Sequence, residues 1–596
     1  MTFLSDANGP SLRVTPLKRR LSLMGLAATV AGVAIFNASA PATAQGGEKM
    51  ADDTELEAGI PVSDKLVIEK CGTCHTADSK GNLSRISWNR TTPEGWAQVI
   101  HRMVKLNGMQ ISGDEAKKIV RSLATSHGLA PEEAKTVMYL PEHRAVEETN
   151  IPNETIRAAC ASCHAFAQPL SWRRSSNEWK LLQDLHVALY SQAETQYRRP
   201  VDENGMPQNG PAAAKMPAPG VVALDYIRKT APLATPEWSS WTAKAGKANL
   251  AGKWLISASV PGKGRYAGTL TIAANGDDFT TTTTLHPLAG GPAITRTGTG
   301  IVYAGYSWRG SSKPAASPAT PDALENATRE TMWFAPDRKS ATGRWFWGAY
   351  QEFGWDVKLT RTTSEATISA VSPYALKVGS SGSEVHIIGD KLPTKLALAD
   401  IVLGKGVMAK KIISATPDEL VISVDVAADA GTGMRDVAIG DALLEKALPI
   451  YKKVDFLKVT PETSLARLGG SDKHPKGYQQ FEAIGFDKGA DGKAGTGDDV
   501  PVGPVPVAWS MGEFPQVYYD DDVNFVGKLS EAALFTPNID GPNPARKWGR
   551  NNYGEVWVVA TAKNEKDAAG KPLTAKGLLS VTVPAYKRWD QPEVSQ

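Results

Sequence analysis

The spacing of apolar residues along the chain changes once, from a helical to an alternating rhythm. Before the change, Trp96, Val99, Ile100 and Met103 fall on one face of a helical segment, and Trp179, Leu182 and His186 on one face of another. Ser112 and Glu115 have the spacing of a capping box and open a further helix through Ile119, Val120 and Leu123 towards Gly128. An Ala-, Pro- and Gly-rich passage from Asn209 to Pro236 then reads as a linker. From Trp238 on, the pattern is one of strands. Trp254 to Val260, Tyr266 to Ala273 with an Asn275-Gly276 hairpin signal, Phe279 to Leu285, Gly300 to Trp308, Thr331 to Phe334, Arg344 to Tyr350 and Trp355 to Leu359 predict an up-and-down barrel or a sandwich. Trp345, Trp347 and Tyr350 are assigned to core and interface rather than to a ligand pocket. Residues 366–454 carry shorter strands at the turn spacing of an immunoglobulin-like sandwich, and residues 456–589 read as a second one, with a strand at Gln516 to Tyr519.

Composition adds little to this picture. The chain has 596 residues, 42% hydrophobic and 22% charged, with a net charge of +3, enough for several cores. Lys and Arg are dispersed, so no nucleic-acid footprint is expected. The N-terminus changes more. Lys18-Arg19-Arg20, the apolar run Leu21 to Phe36 and Ala42-Thr43-Ala44 read as a secretory signal cleaved before Gln45, which predicts a periplasmic protein with no membrane span.

All four cysteines lie in Cys71-Gly72-Thr73-Cys74-His75 and Cys160-Ala161-Ser162-Cys163-His164, two copies of C-x-x-C-H. Two thiols one helical turn apart can bond to the two vinyl groups of a haem, and the adjacent histidine then supplies a nitrogen to iron. Zinc or thioredoxin-like sites also use C-x-x-C, but neither explains a histidine after both pairs. Two covalently bound c-type haems are therefore expected.

The second axial ligands follow from a repeat. Ser87-Trp88-Asn89-Arg90-Thr91-Thr92-Pro93-Glu94-Gly95-Trp96 resembles Ser171-Trp172-Arg173-Arg174-Ser175-Ser176-Asn177-Glu178-Trp179, one residue shorter, and Met103 and His186 each lie seven residues after the closing tryptophan. This pairs His75 with Met103 and His164 with His186; Met109, His101 and His127 are the competing candidates. Two six-coordinate irons would leave no open site for peroxide, and a thioether-ligated iron usually has the higher potential. The glycine-rich acidic loop Asp487 to Asp499 suggests calcium, but its spacing is not that of an EF-hand, and it reads as a solvated turn. His386 lies in a strand without a metal partner. No catalytic constellation is evident.

At Cys71 to His75, Met103, Cys160 to His164 and His186, and in the order of its domains, the chain resembles the α (haem-bearing) subunit of quinohemoprotein amine dehydrogenase. The resemblance implies a multidomain fold: a signal peptide at 1–44, an all-α di-haem cytochrome c domain at 45–230, an antiparallel β-barrel at 231–364, and immunoglobulin-like sandwiches at 365–454 and 455–596. It implies that a primary amine is oxidised by a cysteine tryptophylquinone on a separate small subunit, beside a β-propeller subunit. The two haems would pass the electrons to a soluble acceptor such as a blue copper protein or a cytochrome c. Every cysteine here is assigned to haem, so the quinone belongs on another chain.

Overall fold

The computed structural model describes residues 55–138, 151–244, 249–515 and 520–584; the signal sequence read at 1–44 and the strand expected at Gln516 to Tyr519 lie outside them. The first half of the haem region begins with α1 (Lys65–Cys71), whose N-cap Asp64 accepts hydrogen bonds from the Leu66 and Val67 amides. A short strand β1 (Asn89–Thr91) leads into α2 (Pro93–Asn107), opened by the Thr92 cap with proline at the first turn and closed at Gly108, which takes φ 70°. Helix α3 (Gly113–Ser126) starts with the expected reciprocal capping box of Ser112 and Glu115. After α4 (Pro131–Lys135), the second half repeats the order: α5 (Glu154–Cys160) under an Asn153 cap, β2 (Trp172–Arg174), α6 (Ser176–Leu189) under a Ser175 cap, α7 (Ser191–Arg198) and α8 (Pro219–Thr230).

Two expectations are corrected here. The passage read as a linker contains α8, which buries Ala223 beside Ile156 and Phe166, and Ile227 beside Trp179. Proline masked it: Pro219 sits at the first helical turn, where its missing N–H is no loss. The domain is also not purely α. Strands β1 and β2 pair antiparallel, with Asn89 opposite Arg174, Arg90 opposite Arg173 and Thr91 opposite Trp172.

The two halves match in detail. Trp96 Nε1 and the Thr91 amide both donate to the His127 carbonyl, at 3.0 and 3.1 Å, where α3 ends. Trp179 Nε1 and the Arg174 amide both donate to the Ala231 carbonyl, at 2.8 and 3.3 Å, where α8 ends. Thr91 and Arg174 thus hold equivalent places, as do Arg90 and Arg173, so Trp88 and Trp172 are not equivalents despite the sequence match. The one-residue difference between the copies falls before the strands.

The next domain is a closed eight-stranded barrel from β3 (Gly252–Val260) to β10 (Phe353–Arg361), each strand hydrogen-bonded to its sequence neighbours and the last to the first. The segment read as one strand from Gly300 to Trp308 is two, β6 (Ile294–Tyr303) and β7 (Ser307–Pro314). They are joined by a tight turn in which Ala304 and Gly305 both take positive φ. Buried Trp254, Trp308, Trp345 and Trp355 pack the barrel, and Trp347 is buried with them, as assigned. Tyr350 is the interface residue: its hydroxyl donates to the Pro475 carbonyl at 3.1 Å, and Arg467 lies over its ring.

Residues 367–451 form a sandwich of two four-stranded sheets closed over Val385, Ile387, Ile422, Val437 and Leu448. The last domain is built of a four-stranded and two three-stranded sheets. Its Asp487 to Asp499 loop closes on itself: Asp498 accepts from the Ala490 and Asp491 amides and Asp499 from those of Gly495 and Thr496, as a solvated turn would.

The barrel also walls the first haem half. Ile301 and Tyr303 of β6 share one core with Val67, Cys71, Trp96 and Val120. Arg309 of β7 grips Glu94 in the first turn of α2 through two hydrogen bonds of 2.6 and 3.1 Å, both side chains being buried.

Candidate functional site

Each C-x-x-C-H motif sits at the C-terminal end of a short helix. At the first, the Cys74 and His75 amides both donate to the Cys71 carbonyl, at 3.1 and 2.9 Å, so the two thiols stand one turn apart. Cys71 is buried and Cys74 exposed; Cys160 is half-buried and Cys163 exposed. Burial pushes the Cys71 thiol up to about 11, with Cys74 adding to the rise, and burial alone does the same for Cys160. Among the described residues, only Glu513, Asp520 and Asp522 gather three metal-ligand side chains within 4.8 Å, so neither motif is drawn together as a zinc site.

Three histidines are held through Nδ1. The Nδ1 atoms of His75, His164 and His186 face the carbonyls of Ser84, Ala165 and Leu182 at 2.8, 3.2 and 2.8 Å. With Nδ1–H donating, each keeps its Nε2 lone pair available to a metal. Burial lowers the His164 pKa below the ordinary histidine range; the Ala165 carbonyl opposes this and the nearby His186 imidazole reinforces it. His164 and His186 thus lie near enough to each other to interact electrostatically.

Met103 is half-buried on α2, its sulfur 3.7 Å from the Asn107 side-chain amide. His127 does not compete for the first site: it is fully buried with both ring nitrogens engaged, Nδ1 with Ser126 Oγ at 2.8 Å and Nε2 with the Ile60 carbonyl at 3.0 Å. Met109 packs against the core of the first half, and His101 points to solvent.

The surroundings suit an apolar macrocycle. Ile68 before Cys71, Val104 and Leu106 beside Met103, and Leu185, Val187 and Leu189 around His186 are all exposed. Each leaves apolar surface beside a candidate ligand that a bound macrocycle could cover. The residues present fit two covalently held haems.

Sequence reading missed the polar framework between the halves. Arg90 donates to both oxygens of Glu133 at 2.8 and 3.1 Å, Arg173 reaches the same carboxylate at 3.1 Å, and all three side chains are largely buried. The arginine common to both repeat copies was the available signal.

Comparison with known proteins agrees along the length of the chain. The family model described as the haem-binding region of quinohemoprotein amine dehydrogenase A, alpha subunit, matches residues 62–205, which include all eight candidate site residues. Models of domains II, III and IV of the same subunit match residues 247–362, 365–452 and 457–594. No curated protein matches. Among solved structures, a designed fluorescence-activating β-barrel is 13% identical, with 20% of this chain and 97% of that one covered at a TM-score of 0.15. Human protocadherin-24 EC1-2 is 9% identical, with 37% and 98% covered at 0.14. With matching models for all four domains in order, around paired haem-attachment motifs, the chain belongs to the family of quinohemoprotein amine dehydrogenase alpha subunits.

Proposed function

We propose that this chain is the electron-relay subunit of a periplasmic amine dehydrogenase. It accepts electrons from a cysteine tryptophylquinone carried on a small partner subunit and hands them to a soluble blue copper protein or cytochrome c. A β-propeller subunit completes the assembly, and the sandwiches, immunoglobulin-like in this reading, serve as interaction surface. The observation that carries the proposal is the pair of matching haem halves within one family-matched haem-binding region.

Haem, when bound, supplies a one-electron iron couple at each site. Cys71 and Cys74 would hold the first group and Cys160 and Cys163 the second; His75 and Met103 would ligate one iron, His164 and His186 the other. The apolar residues of α2 and α6 exclude water, and the Nδ1 hydrogen bonds of the three histidines fix their rings. A thioether and an imidazole at one site and two imidazoles at the other would give the two groups unequal potentials. The catalytic site lies on another chain.

The experiment is to purify the protein with its periplasmic partners, add a simple primary amine anaerobically and watch for ferrous haem bands. Reduction in the native complex, with none in this chain alone, supports the relay. With both haems and the partner chains present, no reduction in either would transfer the protein to a different periplasmic dehydrogenase.

A further inference from the structure

The contact between the two haem halves carries more positive than negative charge. Arg174 on β2 is buried, its guanidinium stacked over Trp172 at 4.2 Å and near Trp179 at 5.5 Å. It donates to Asn89 Oδ1, but its Nε has no hydrogen-bond partner. The nearest carboxylate, Glu178, lies 3.8 Å away and is already held by Arg85 at 2.8 Å. Burial lowers the Arg174 pKa to about 9; Glu178 opposes the shift, and Arg102 and Arg85 lie close enough to deepen it. Arg102 has no carboxylate partner among the described residues. Arg174 and Arg85 thus share one carboxylate, and the buried Arg174 is left incompletely bonded. That is an expensive arrangement unless an anion completes it.

The position of the cluster identifies the anion. Arg85 follows Ser84, whose carbonyl orients His75, so this cation lies beside a candidate ligand of the first iron. Arg174 opens the path to α6 and His186 in the second half. A haem carries two propionates at the edge opposite its thioether bonds, and the arginine fork matches a carboxylate. We infer that Arg174, with Arg85, binds a haem propionate at the junction of the two halves and raises that haem's reduction potential. The inference rests on the di-haem reading, and Arg174 is a positioning and tuning residue rather than an axial ligand.

The test uses the native complex with both haems loaded, confirmed by its absorption spectrum. Midpoint potentials of the two haems are measured by spectroelectrochemistry, and propionate bending modes by resonance Raman. Arg174→Gln should shift the reduction equilibrium of one haem at least tenfold towards the oxidised form, about 59 mV for a one-electron couple, and move its propionate band. Arg174→Lys should restore most of the potential but not the band. If Arg174→Gln fails to load haem, the half-exposed Arg85→Gln should give a smaller shift of the same haem. A change confined to the Met-ligated haem assigns the propionate to the first site, and one confined to the other haem assigns it to the second. Unchanged potentials and bands, or an equal shift from Lys180→Gln on α6, whose charge is paired with Asp184, would overturn the inference while leaving amine-dependent haem reduction, and so the relay, intact.

Discussion

Met103 and His186 stand seven residues beyond Trp96 and Trp179, whose indoles are anchored in the same way, so the two side chains occupy matching places on α2 and α6. Substituting each separately tests whether both bind iron. Met103→Ala should lower the potential of one haem or turn it high-spin and leave the other untouched. His186→Ala should disturb only the second haem. Absorption spectra and redox titrations read both, and a variant with unchanged spectra would remove its residue from the ligand set. These candidate positions could be picked out because each attachment motif is written into five consecutive residues, and because a repeat carries its spacing with it. Glu94 and Arg309 were not legible, since their partnership joins residues 215 apart in the chain and no local pattern announces it.

At the scale of elements, the ribbon of β1 and β2 fixes how the two ligand helices leave the junction, and Glu133 of α4 fixes the ribbon. Burial alone would raise the Glu133 pKa, but Arg90, together with Arg173 and the Ala130 amide, brings it down to about 2. A carboxyl whose folded value lies below its ordinary 4.5 adds stability above pH 4.5 and loses it as the pH falls from there towards 2. Glu133→Gln should therefore cost about 3–5 kcal/mol in neutral denaturant titrations, because two buried guanidinium groups lose their counter-charge. It should also flatten the acid limb of the stability profile. The helices α2, α3 and α6 could be read from a capping box and apolar stripes, whereas α8 was lost among prolines. Two barrel strands fused into one because the turn at Ala304 and Gly305 is too short to interrupt the alternation.

For the whole molecule, the barrel is part of the first haem half as much as its neighbour. Its β6 lends Ile301 and Tyr303 to that core, and its Arg309 clasps the start of α2, where the Glu94 carboxylate also complements the helix N-terminus. A double-mutant cycle on Glu94→Gln and Arg309→Met should give a coupling energy near the upper end of about 0.5–3 kcal/mol. Strict additivity would show the two domains to be energetically independent. The ribbon has a consequence at this scale as well. Arg90 and its structural counterpart Arg173 face each other directly, as equivalent residues do across the axis of an isologous dimer. In a true homodimer both partners would share one ligand set and one potential, and neither direction of electron flow would be preferred. With both partners on a single chain, symmetry no longer binds them, and the unlike side chains at Met103 and His186 can give the pair a direction.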